Sequence, residues 1–109
     1  MALKRAYRLP ADIRLKSPRT YKTRAFLLKV AANNTSLSRA GFIIPKTVDK
    51  RAVVRNKIRR MFQICVGSIV EKVAPGHDML FIIKQEAKEM RKEEISNEIQ
   101  KLLTMADVV

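Results

Sequence analysis

The sequence predicts an α+β fold of two layers, one sheet with helices on one side, in a single domain spanning 1–109. Three observations carry that prediction. Two strand-like apolar runs, Arg24 to Ala31 and Arg39 to Ile44, precede a long segment of helical periodicity, Arg51 to Val73. A third apolar run, Asp78 to Lys84, follows that segment and completes a β-α-β unit over one sheet. The chain has 109 residues, 47% of them hydrophobic, which suffices for one modest core and no second domain.

Residues 1–8 carry Lys4, Arg5 and Arg8 without periodicity and read as a flexible basic arm. Pro10 suits the first turn of a helix, and a short helix through Ile13 to Lys16 would stop at Ser17-Pro18, since the residue before Pro avoids the α region. In Arg24 to Ala31, Phe26, Leu28 and Val30 share one face of a strand, and Leu27 and Lys29 share the other. Asn33-Asn34-Thr35-Ser36 is a turn cluster. It suggests a hairpin with Arg39 to Ile44, which Pro45 then ends. A short further strand around Thr47-Val48 is an open alternative.

In the long helix, Val54, Ile58, Met61, Phe62, Cys65 and Ile69 fall within roughly one third of the circumference at 100° per residue. Arg55, Asn56, Lys57, Arg59 and Arg60 fill the remaining arc, and Gly67 weakens the far half. Pro75-Gly76-His77 makes a turn. Glu89 to Leu103 closes the chain with a helix whose stripe is Ile95, Ile99, Leu102 and Leu103.

Charge points to the partner. The chain has 23 Lys and Arg against 10 Asp and Glu, a net +13. Residues 1–60 hold 17 of the bases and only Asp12 and Asp49 as acids, so this part is +15 and the rest −2. Such repulsion is kept where a polyanion neutralises it. The bases are interleaved with apolar residues, so the positive surface is built on folded elements rather than a tail. Arg supplies planar forks for phosphate oxygens, and Asn56 suits a sugar hydroxyl or a base edge. Lys46, Lys50 and Arg51 extend the patch at the helix start. Charge alone does not separate RNA from DNA.

Other classes find little support. One Cys rules out an intramolecular disulfide, and one Cys with one His rules out the usual zinc sets. His77 reads as a turn residue, Cys65 as core, and the acids of the last helix as a solvated face. The only glycines, Gly41, Gly67 and Gly76, make no phosphate loop. The longest apolar run, Met79 to Ile83, is too short for a bilayer, and no apolar segment follows Met1-Ala-Leu-Lys-Arg to make a signal peptide. A cytoplasmic location without a membrane partner is the expectation.

Arg55-Asn56-Lys57-Ile58-Arg59-Arg60 resembles the R-N-R-x-K-R signature of the bacterial ribonuclease P protein component. Arg39 to Lys46 resembles that family's R-x-G strand, and Asp78 to Lys84 its apolar strand opening on Asp. The similarity runs over about residues 8–104. It implies an α-β-β-β-α-β-α fold with a left-handed β-α-β crossover, a topology also found in the second domain of a ribosomal protein. It also implies a protein subunit of ribonuclease P. Members pair with a catalytic ribonuclease P RNA that removes the 5′ leader of precursor tRNA. The RNA holds the Mg²⁺ ions and performs the hydrolysis, and the protein alone is not catalytic.

For this chain the resemblance assigns RNA binding to Lys46, Lys50, Arg51, Arg55, Asn56, Lys57, Arg59 and Arg60. It places the leader cleft at Ile13, Leu27 and Lys29. Three residues depart from the family pattern: Lys57 replaces Arg, Arg59 replaces Lys, and Pro45 replaces a small residue. The usual Phe of the first helix is absent, with Ile13 its equivalent and Tyr7 or Tyr21 as alternative rings. A monomer, one per RNA, is the default. The competing readings are a noncatalytic ribosomal or rRNA-binding protein, which leaves the hexapeptide unexplained, and a DNA-binding module, for which no helix-turn-helix or dimer seam is visible.

Overall fold

The computed structural model describes residues 3–10 and 14–108. Its elements are strands β1 (Arg19–Lys22), β2 (Phe26–Ala32) and β3 (Arg39–Ile43), helix α1 (Ala52–Gly67), strand β4 (His77–Ile83) and helix α2 (Lys92–Met105). One four-stranded sheet has the order β1-β2-β4-β3, with β3 parallel to β4 and the other pairs antiparallel. The β3-α1-β4 connection is therefore a parallel crossover between neighbours, and the α+β class holds.

The alternation in β2 sets the layers. Phe26, Leu28 and Val30 are buried beneath the helices, while Leu27 and Lys29 are half-buried on the opposite face. Met79, Phe81 and Ile83 of β4 join the first set, and Phe62 of α1 meets Phe26 edge-on at a centroid distance of 5.8 Å. α2 buries Ile95, Ile99, Leu102 and Leu103, the stripe expected from spacing. Cys65 is core as well, 3% exposed. α1 ends at Gly67, and Ile69 is buried beyond it, before a 3-10 turn at Val70–Lys72.

Several expectations need correction. β2 and β3 do not form a hairpin, because β4 lies between them. β4 is buried on both faces through Asp78, Met79, Leu80 and Phe81, so burial favours a central place for it. The Asn33 cluster bridges the gap instead of making a tight turn. Asn33 Nδ2 donates to Leu37 O at 2.9 Å and to Asp78 Oδ1 at 2.8 Å, which ties the β2–β3 connection across the end of β4. The true hairpin is β1-β2, with Arg19 opposite Val30. Residues 46–48 form a turn, with Val48 N donating to Pro45 O at 2.9 Å, so no strand forms at Thr47-Val48.

The N-terminal segment also differs. The helix expected through Ile13 to Lys16 falls partly on residues 11–13, which lie outside the described residues. Arg14 to Lys16 are not helical, and Ser17 takes φ 46°. In place of a flexible arm, residues 3–9 dock along the outer edge of β3. Leu3 is 1% exposed, Arg5–Tyr7 form a 3-10 turn, and Leu9 N donates to Ala40 O at 2.9 Å. Leu9 also covers Gly41, where an added Cβ would stand 3.0 Å from Leu9 Cβ. The segment thereby closes a sheet edge that would otherwise invite pairing.

Candidate nucleic-acid interface

α1 anchors one side in the core through Ile58, Phe62, Cys65 and Val66, which fixes the direction of its polar arc. Asn56, Lys57 and Arg60 are exposed on that arc, and Arg55 and Arg59 are half-buried at its edges. Lys46, Lys50 and Arg51 are exposed on the loop that leads into the helix. All eight residues singled out from the sequence thus lie on α1 or the loop before it.

Their hydrogen bonds divide them. Lys57 and Arg60 make no hydrogen bond or ion pair among the described residues. Arg59 Nη1 donates to Asn56 Oδ1 at 3.1 Å, which uses one lone pair of that oxygen, and Asn56 Nδ2 makes no hydrogen bond among the described residues. Arg55 turns back on the loop, with Nη1 2.9 Å from both Asp49 O and Lys50 O. It is therefore partly a brace for the helix start, and it keeps its full positive charge while its Nη1 donors are spent on the loop.

Asp49 organises that loop. Its carboxylate accepts both guanidinium bonds of Arg51 at 3.0 Å and the backbone N–H of Arg51 at 2.9 Å. Lys88, from the turn before α2, reaches it at 3.0 Å. The Arg51 hydrogen bonds first, then Lys88, hold the Asp49 carboxyl well below the usual carboxylate range. A carboxyl with a lowered folded pKa stabilises the fold above its unfolded value of about 4, and the benefit fades as pH falls below it. The stability difference between wild type and Asp49→Asn should therefore be constant above about pH 5 and shrink below about pH 4. Urea unfolding across pH checks this; a difference independent of pH would remove Asp49 from the ion-pair role.

The opposite sheet face holds the other candidates. Leu27 pairs in register with Lys22 and Ile82, and Lys29 with Thr20 and Leu80, so the apolar residues Leu27, Leu80 and Ile82 are bordered by two lysines, Lys22 and Lys29. Ile13 lies outside the described residues. Tyr7 and Tyr21 pack against the core, and Tyr21 sits opposite Leu28 on the helix-facing side, so neither replaces the missing ring. Arg39 and Asp78, which open the two motif-bearing strands, are register partners joined by two bonds of 3.0 Å. Their pattern serves the sheet.

Two cations outside the set singled out for RNA binding reach α1. Arg8 lines a shallow groove with Arg59 and Gln63 at the β3 edge, and Lys88 lines another with Lys57. The sequence reads Arg8 only as part of the basic arm, and Lys88 carries no local signal; chain packing brings both to α1. Protein nucleophiles are poorly served. Burial pushes the Cys65 thiol up, and His77, the first residue of β4 rather than the expected turn residue, has its Nδ1 3.0 Å from Ala74 O. Asp78, 4% exposed, is committed to Asn33 and Arg39.

The family model described as Ribonuclease P matches residues 12–107. The ribonuclease P protein component of Roseiflexus castenholzii is 37% identical, with 98% of this chain and 91% of that protein covered. That of Clostridioides difficile is 28% identical, with 85% and 82% covered. The solved structure of the Staphylococcus aureus RNase P protein superposes with a TM-score of 0.81 at 27% identity, covering 95% of this chain and 98% of that one.

Proposed function

The chain belongs to the ribonuclease P protein family, and from that premise we propose how its surfaces divide the work of a ribonuclease P subunit. The partner is the ribonuclease P RNA, and α1 with its leading loop is the surface that grips it. The observation that carries this is the arc of α1, where Lys57 and Arg60 stand exposed with no carboxylate on the arc. Placed side by side, these cations repel until phosphates neutralise them.

Precursor tRNA meets the other face. Leu27 and Lys29, with Ile13 assigned to the same cleft by the family resemblance alone, receive the 5′ leader, Leu27 as an apolar platform and Lys29 as a phosphate contact. The described carboxylates fit a protein-held Mg²⁺ poorly: Asp49 and Asp78 are taken by cations, and no three metal-ligating side chains converge among the described residues. In this reading the RNA holds Mg²⁺ and the protein lowers the repulsion between RNA and substrate. One protein per RNA, in the cytoplasm, completes it. No helix among the described residues is long and apolar enough to cross a membrane.

The leader face has its own test, the affinity of the reconstituted complex for precursor and mature tRNA. Lys29→Ala should weaken precursor binding by about 1.5 kcal/mol, roughly tenfold, and leave mature tRNA unchanged. Ile13→Phe should strengthen precursor binding alone, since base stacking on an aromatic ring contributes about 1–3 kcal/mol. Equal effects on both RNAs, or none on either, would place the leader elsewhere.

A further inference from the structure

One flank of α1 carries a groove that the basic arc does not explain. It has a volume of about 370 Å³, within the range of about 300–1,000 Å³ typical of small-ligand sites. Val54, Lys57, Ile58 and Met61 of α1 line one side, and Lys88 and Met90, from the segment before α2, line the other. Ile58 and Met90 are buried while Val54 and Met61 are half-exposed, so the floor is packed and the walls face solvent. Lys88 is pinned 3.0 Å from Asp49 Oδ2. One of its three donors is spent there and two remain for another acceptor.

We infer that this groove is a nucleobase subsite, taking one unpaired base of the ribonuclease P RNA against Val54, Ile58, Met61 and Met90, with the flanking phosphates on Lys57 and Lys88. The inference rests on the reading that α1 grips that RNA. An apolar slot between two cations matches the two halves of a nucleotide, a flat ring and a charged phosphate. Thioether sulfurs at Met61 and Met90 are polarizable and adapt to a ring edge. A second copy of this chain is disfavoured, because it brings another +13 to a groove lined by two lysines. The groove beside Arg8 and Arg59 is smaller, about 160 Å³, and has no apolar wall of comparable extent.

The test separates ring from charge. Val54→Trp fills the groove and Met61→Ala strips its wall, and neither alters charge. Each is titrated with a cognate ribonuclease P RNA transcript over a salt series, and the RNA is probed with base-specific reagents. Each variant should bind about tenfold more weakly with an unchanged salt slope, because a stacking contact is lost and no counterion is involved. A single unpaired base that wild type protects should become reactive with Val54→Trp. Lys57→Gln should instead make the slope shallower. Wild-type affinity in both variants overturns the subsite while leaving the α1 reading intact, and points to a protein as the occupant. If Val54→Trp does not fold, Met61→Ala and the wild-type footprint decide, and a footprint without any protected unpaired base overturns the subsite. Failure of wild type to bind the transcript overturns the reading beneath it.

Discussion

Protein freed of RNA by nuclease treatment should leave precursor tRNA uncut at every Mg²⁺ concentration. The same protein, added to a cognate ribonuclease P RNA, should bring cleavage to Mg²⁺ concentrations at which the RNA alone is idle. The first half follows from side chains that are already committed. Activating water needs a base or a nucleophile near its working pKa and within reach of substrate. Cys65 is buried with its thiol pushed up, His77 at the start of β4 faces the Ala74 carbonyl, and Asp49 and Asp78 are locked by cations. Enzymes accelerate such reactions by at least about 10⁶-fold, so the two preparations should differ by a margin no contaminant could blur. The second half follows from charge. A +13 protein placed between two polyanions does part of the screening that free Mg²⁺ otherwise performs. Cleavage by RNA-free protein that survives nuclease treatment would sink this assignment.

What the sequence revealed depended on how each element is stabilised. α1 and α2 were legible because burial of one face imposes a period: the α2 stripe is buried as expected, while in α1 Ile58, Phe62 and Cys65 are buried, Val54 and Met61 are half-buried, Val66 joins the core unexpected, and Ile69 lies past the helix end. β4 was legible as a strand buried on both faces, and that same fact pointed to a central position; the expected β2–β3 hairpin ignored it. β1 left no trace, since Arg19, Thr20 and Lys22 are exposed and only pairing with β2 and the single Tyr21 side chain against the core hold the strand. Docking of Leu3 and Leu9 was equally silent: two isolated leucines have no period, and their places exist only once β3 is an edge. In the candidate site, the residue types were right and their roles less even. Spacing put Arg55 on the polar arc, but only the folded loop offers it the carbonyls of Asp49 and Lys50. Lys88 is 31 residues from Lys57 in a stretch of mixed charge, and no local pattern marks it.

That division among the arginines sets the second large effect. Lys57→Ala with Arg60→Ala should leave stability nearly unchanged, or raise it by easing repulsion, because neither side chain holds anything in the fold. Binding to the ribonuclease P RNA should fall by about 3 kcal/mol, at about 1.5 for each charge-assisted bond lost, which is roughly a hundredfold. The slope of log affinity against log salt should become shallower by roughly 1.5, as two fewer phosphates shed counterions. Arg55→Ala is the instructive contrast. It removes two bonds to the loop, so its main cost is expected in the unfolding midpoint, about 1 kcal/mol, with binding weakened through a loosened helix start. Urea unfolding and salt-dependent titration of the two proteins measure both quantities. A double variant that unfolds, or that binds as tightly as wild type with the same slope, would make the arc structural and move the RNA to another face. Arg55→Ala with wild-type stability and a shallower slope would return that side chain to the phosphate-binding set, and the loop carbonyls at 2.9 Å would then be a resting place it leaves when RNA arrives.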